Sequence, residues 1–256
     1  MLLRVRPMHF VRAMTSGRTC PIACGCSDLA GKPVGEFVIK LLGQQATLYE
    51  FVASRLATHF GILVPEAAAV EMDKEFERLL ASSQPQLAAA LHAGLGLNFG
   101  TRFMNPMSTW PVGRTIPEAM LADATKIFAF DALIQNPDRR VEKPNLLTQS
   151  DDLYILDHES GFSFLLAIGG HSSPWNLERE AYLQNHVFYN RLKSKRLDLR
   201  EFEARLEALT EAALEKIRSE IPNEWMHEDF GRIGAHLSKV HEHRSEFLEQ
   251  VRRILV

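Results

Sequence analysis

The sequence predicts an α+β chain of two lobes, the first rich in strands and the second mainly helical. Three observations carry this expectation. Short apolar runs punctuated by Gly, Pro and Asp turns fill most of the chain up to Met72. A stretch rich in Gly, Asn, Pro and Trp, from Gly94 to Arg114, breaks the periodic pattern and reads as a linker. Beyond it the apolar residues recur mostly at helical spacing. Strands, a joint, then helices imply two lobes with a cleft.

The elements follow in order. "LRVRP" and "HFVRA" alternate as two short strands. "TCPIACGC" and "GEFVIKLL" are further strand-type runs, separated by the turn "DLAGKP". In "ATLYEFVASRLATHFGI", Leu48, Phe51, Val52 and Leu56 fall on one helical face; Thr47 is a candidate cap and Gly61 a stop. "VPEAAAVEM" resumes as a strand, and residues 73–93 form helical pieces around Pro85. "TIPEAMLADATKIFAFDALIQN" is a helix with Pro117 in its first turn. "NLLT" and "LYILD" are strands joined by "QSDD". Amphipathic helices are expected over about 176–190, 198–219 and 223–253. The lobes are drawn at 1–105 and 106–256.

Bulk properties narrow the function. The chain has 256 residues, 46% hydrophobic and 24% charged, with a net charge of −3. That balance gives no reason to expect a nucleic-acid partner. No apolar run reaches the ~18 residues of a membrane helix, so no membrane insertion is expected. Arg4, Arg6 and Arg12 interrupt the N-terminus as a signal peptide would not allow. Cys20, Cys24 and Cys26 lack the second Cys pair of a structural zinc site. Clustered odd thiols fit a reducing compartment, and a cytoplasmic location is expected.

Five positions carry chemistry as a set. Lys40 ends the buried-type run "FVIK", where a lysine alone would be taken to snorkel outward. Glu50 lies off the apolar stripe of its helix, beside the small residues Ala53, Ser54 and Ala57; alone it would pass as a surface glutamate. Asp138 and Asn145 lie in the polar loop "QNPDRRVEKPNLL", and Asp157 ends the strand "LYILD". Each acid alone would serve as a turn residue or cap. In this order a lysine can hold phosphates, a glutamate can fix the lysine and a loop acid can position a hydroxyl. The strand-end acid and the amide can hold Mg²⁺. This is the order of parts in a protein-kinase-like phosphotransferase. Asp131, in an apolar helix, is expected to hydrogen-bond the loop, since a buried carboxylate must be paired.

These residues, in "FVIK", "LYEFVASRLATHFGILVP", "FDALIQNPDRR", "PNLL" and "YILDHESGF", resemble the HipA-like kinases in their short form, over about residues 15–165. The resemblance implies one bilobed kinase-like domain that uses ATP and Mg²⁺ and phosphorylates Ser or Thr hydroxyls of itself or another protein. It implies that Lys40 is the phosphate lysine, Glu50 its partner, Asp138 the catalytic acid and Asp157 a metal ligand. Ser16, Gly17, Arg18 and Thr19, in "SGRTCP", would cover the nucleotide phosphates. The family pattern places a metal-binding asparagine five residues after the catalytic acid, where this chain has Lys143. Either Asn145 supplies the amide from a shifted loop, or one metal contact is missing, or Lys143 touches phosphate. Two alternatives therefore stand beside the kinase: a pseudokinase acting as a nucleotide-binding module, and a kinase for a small-molecule or lipid hydroxyl.

Overall fold

Polar turns separate the first apolar runs, and each run becomes a strand. The structure, a computed structural model, describes residues 2–14, 21–105, 107–166, 173–195 and 197–256. The chain divides into two units. One holds Met1–Phe51, Pro65–Asn105 and Glu220–Met226; the other holds Val52–Val64, Pro106–Ser219 and His227–Val256.

In the first unit, β1 (Leu3–Ala13), β2 (Ile22–Asp28), β3 (Pro33–Lys40), β4 (Ala67–Met72) and β5 (Gly96–Arg102) close into a barrel of order β1-β2-β3-β5-β4. Parallel pairing of Leu3–Val5 with Ala68–Val70 joins the ends of that order. Val5, Ile22, Cys24, Phe37, Ile39 and Val70 are part of its core. The two strands expected at the N-terminus are one strand. Its register against β2 shifts between Pro7 and His9 and again between Phe10 and Arg12. Such bulges re-phase the alternation, which is why the sequence reads as two pieces. Cys24 and Cys26 are buried, and burial pushes both thiols up, Cys26 to about 12.

α1 (Gln44–His59) begins a turn earlier than expected. Thr47 is not its cap, because Thr47 N already bonds Gly43 O inside the helix at 3.0 Å. Gly61 ends it as expected, at φ 69°. Ile62 N reaches Ala57 O at 2.9 Å and Gly61 N reaches Thr58 O at 3.1 Å, a glycine-terminated C-cap. α2 (Lys74–Ser83) is capped by Asp73, which accepts from Phe76 N. α3 (Ala88–Ala93) follows the break at Pro85.

The stretch 94–114 is not a linker throughout, because it contains β5, which pairs with β3 and β4. Asn98, Phe99 and Gly100 are buried in succession, so no alternation marks the strand. Gly100 is required by packing: a Cβ there would lie 2.6 Å from Val70 Cγ2.

In the second unit, α4 (Leu121–Leu133) is buried on nearly every side. β6 (Ser108–Thr109), which precedes that helix, and β7 (Leu146–Gln149) and β8 (Asp152–Ile155), which follow it, form a small antiparallel sheet. The expected long helices are shorter: α5 (Tyr189–Leu192), α6 (Arg200–Glu207), α7 (Glu211–Ser219), α8 (Asp229–Glu242) and α9 (Arg244–Ile254). Most of 176–190 is instead turns and a 3₁₀ segment, Ala181–Asn185. Thr210 caps a new start, with Leu214 N bonded to its carbonyl, and Pro222 ends the next piece by removing a donor. Phe60 stacks on Phe202 at 4.5 Å, anchoring segment 52–64 within this unit. No described helix is long and apolar enough to cross a membrane.

Candidate active site

Lys40 ends β3 and is 8% exposed; Glu50 lies in α1 and is 2% exposed. Burying either charge alone is costly, and the chain pairs them: Lys40 Nζ donates to Glu50 Oε1. Ala53, Ser54 and Ala57 around the glutamate are buried, and small side chains permit close approach.

A second network lies in the other unit. Asp131, near the end of α4, is wholly buried. It accepts from Arg139 Nε at 2.6 Å, from Asn136 Nδ2 at 2.9 Å and from His186 Nε2 at 2.9 Å. This is the loop-bonding acid the sequence leads one to expect. Burial alone would raise its pKa, but the Arg139 charge and the His186 hydrogen bond hold it below the usual carboxylate range. His186 Nδ1 accepts from Phe188 N, so its proton belongs on Nε2. Burial lowers the His186 pKa, against the pull of Asp131. Arg139 Nη1 also donates to Asn145 O at 2.7 Å and to Leu156 O at 3.3 Å. One guanidinium thus joins the end of α4, the polar loop and the exit of β8.

The loop so held presents Asp138. Its Oδ2 accepts from Lys143 Nζ at 2.6 Å, and the same ammonium lies 2.8 Å from Asp157 Oδ2. Asn145 Nδ2 approaches Asp138 O at 3.3 Å and Oδ2 at 3.4 Å, so the ligating atom it can offer is its amide oxygen. Asn145 and Asp157 have φ of 50° and 62°, the left-handed region that Asn and Asp tolerate best after Gly. Burial lowers the Lys143 pKa, but the hydrogen bonds it donates to Asp138 and Asp157 and their charges outweigh it, and the net shift is upward. Glu159 offers a carboxylate oxygen within 4.8 Å of one from Asp157. These oxygen donors are hard and suit Mg²⁺.

The structure brings Asp138 and Asp157 together on Lys143, sets Asn145 beside Asp138, and joins Lys40 to Glu50. Ser16, Gly17, Arg18 and Thr19 lie outside the described residues. Sequence reasoning gave no role to Arg139, His186 or Glu159. The signal for Arg139 was its place beside Asp138, in the same loop as an expected loop-bonding acid's partners; His186, 55 positions from Asp131, left no local signal.

A strand barrel with a buried Lys–Glu pair, and a helix–loop–hairpin carrying two acids on one cation, are parts of a kinase-type phosphotransferase. The family model described as HipA-like kinase matches residues 8–251, and the chain belongs to that family. A crystal structure of a proinflammatory kinase of Helicobacter pylori, CtkA, is similar with a TM-score of 0.53 and 9% identity, covering 97% of each chain. At that identity the likeness is one of fold. No curated protein sequence matches the chain.

Proposed function

We propose that the chain is an ATP- and Mg²⁺-dependent kinase that phosphorylates serine or threonine hydroxyls, on itself or on another protein, in the cytoplasm. The observation that carries this reading is the reach of Asp138 and Asp157 to one ammonium, at 2.6 and 2.8 Å. Two acids that meet one cation can serve one reaction centre.

Residues 1–105 serve the nucleotide and 106–256 carry the transfer chemistry. Lys40, fixed by Glu50, holds the α/β phosphates, and Ser16, Gly17, Arg18 and Thr19 cover them. Asp138 orients the acceptor hydroxyl and takes its proton as the oxygen bonds to the γ-phosphorus and the bond to ADP breaks. Asp157, Glu159 and the Asn145 oxygen hold the metal. Mg²⁺, when bound, neutralises charge on the phosphoryl group being transferred. Asp131, Arg139 and His186 position the loop, so that little reorganisation is left for the chemical step.

The test is transfer from labelled ATP with Mg²⁺ to the chain itself and to protein acceptors, beside an Asp138→Ala control. Transfer is expected only with the intact acid; equal labelling of both proteins overturns the reading. One observation favours a second reading, a nucleotide-binding module without transfer: Lys143 neutralises Asp138, the very group that must accept a proton. A thermal shift by ATP that ignores Mg²⁺, with no labelling, would establish that module instead.

A further inference from the structure

We infer that Lys143 acts as a tethered cation in place of a second divalent ion, so that the nucleotide-loaded site takes one divalent ion. The inference rests on the kinase reading and deepens it. Phosphoryl-transfer sites often use two divalent ions ~3.5–4 Å apart, which clamp the transferring group between carboxylates. Here the place facing both Asp138 Oδ2 and Asp157 Oδ2 belongs to an ammonium, at 2.6 and 2.8 Å. A divalent ion bridging those two oxygens would have to share them with that ammonium, and like charges at such range repel strongly.

The one ion is assigned to Asp157 and Glu159, whose carboxylate oxygens lie within 4.8 Å of each other and are hard donors of the kind Mg²⁺ takes. The ammonium carries three N–H donors. Asp138 and Asp157 take two, which leaves one for a phosphoryl oxygen. Lys143 can therefore do electrostatically what the replaced ion would do, as a single fixed charge.

The test counts ions. The full chain, mixed with an equimolar non-hydrolysable ATP analogue, is titrated with Mn²⁺, and free Mn²⁺ is read by electron paramagnetic resonance. One bound ion per chain is expected for the wild type and for Lys143→Arg, which keeps the charge. Two are expected for Lys143→Asn, which exchanges the charge for an amide oxygen. Two ions in the wild type, or one in a folded Lys143→Asn, would overturn the inference. If Lys143→Asn does not fold, the wild-type count alone decides. Failure of the wild type to bind the analogue, seen as the absence of any nucleotide-dependent thermal shift, overturns the kinase reading and the inference with it. That result is distinct from a wrong ion count.

Discussion

Arg139 Nε donates to Asp131 Oδ2 at 2.6 Å, with both side chains fully buried. The same guanidinium holds the carbonyls of Asn145 and Leu156, just before the hairpin and just before Asp157. The pair therefore frames the loop on which Asp138 sits. Removing one partner strands a buried charge, whereas removing both does not. Arg139→Met is expected to cost about 3–5 kcal/mol, and Arg139→Met combined with Asp131→Leu to cost less than the single change. Urea denaturation of the three proteins checks this; a double variant weaker than the single one refutes it.

The same network makes stability sensitive to acid. His186 is held below its ordinary value of 6.5, first by burial, so between that value and its folded pKa the unfolded chain binds the extra proton. Stability therefore falls as pH drops below about 6.5. Asp131 is held below its ordinary 3.8, so its contribution is complete above that value and is lost on further acidification. Both slopes have the same sign. Denaturation midpoints between pH 8 and pH 5 are expected to be flat above neutrality and to decline below 6.5. His186→Gln, starting from a lower midpoint, should flatten that first decline.

Gly100 tests whether β5 is a strand rather than a linker. A Cβ at this position meets Val70 Cγ2 at 2.6 Å and Val38 O at 3.4 Å, both within the barrel. Val70 lies at 0% exposure and cannot swing into solvent. Gly100→Val is expected to destabilise the chain by about 1–3 kcal/mol through overpacking. A linker glycine would accept the change, so an unaltered urea midpoint would count against the barrel packing.

What could be read in the sequence depended on how local each signal was. β2 and β3 were legible because apolar runs meet the "DLAGKP" turn, and the end of α1 because Gly61 takes the left-handed conformation. β5 was not, because its buried residues run consecutively and include Gly and Asn, the composition of a loop. The C-terminal helices were overextended because amphipathic spacing continues across Thr210 and His243, where capping contacts rather than hydrophobicity set the breaks. In the site, Asp131 could be foreseen as a loop-bonding acid because a carboxylate in an apolar helix needs a partner. Arg139 escaped because arginine is rarely fully buried, and its burial follows from that same acid.

Asp138 and Asp157 both hold Lys143, yet replacing each is expected to fail in a different assay. The two carboxylates are similarly shielded, at 16% and 15% side-chain exposure, and the lysine is 34% exposed. Loss of either contact leaves Lys143 one acceptor, so stability should change by no more than about 1 kcal/mol on this account. On the proposed reading, Asp138→Asn removes the group that takes the hydroxyl proton. It should lower phosphoryl transfer by about 10²–10⁴-fold while the nucleotide-analogue thermal shift persists with its Mg²⁺ dependence. On the same reading Asp157→Asn removes a metal carboxylate, so the Mg²⁺-dependent part of that shift should vanish and transfer should fall with it. Transfer assays and thermal shifts with and without Mg²⁺ separate the two. If Asp157→Asn keeps the Mg²⁺-dependent shift, Asp157 is not the metal ligand; if Asp138→Asn loses it, Asp138 does more than move a proton.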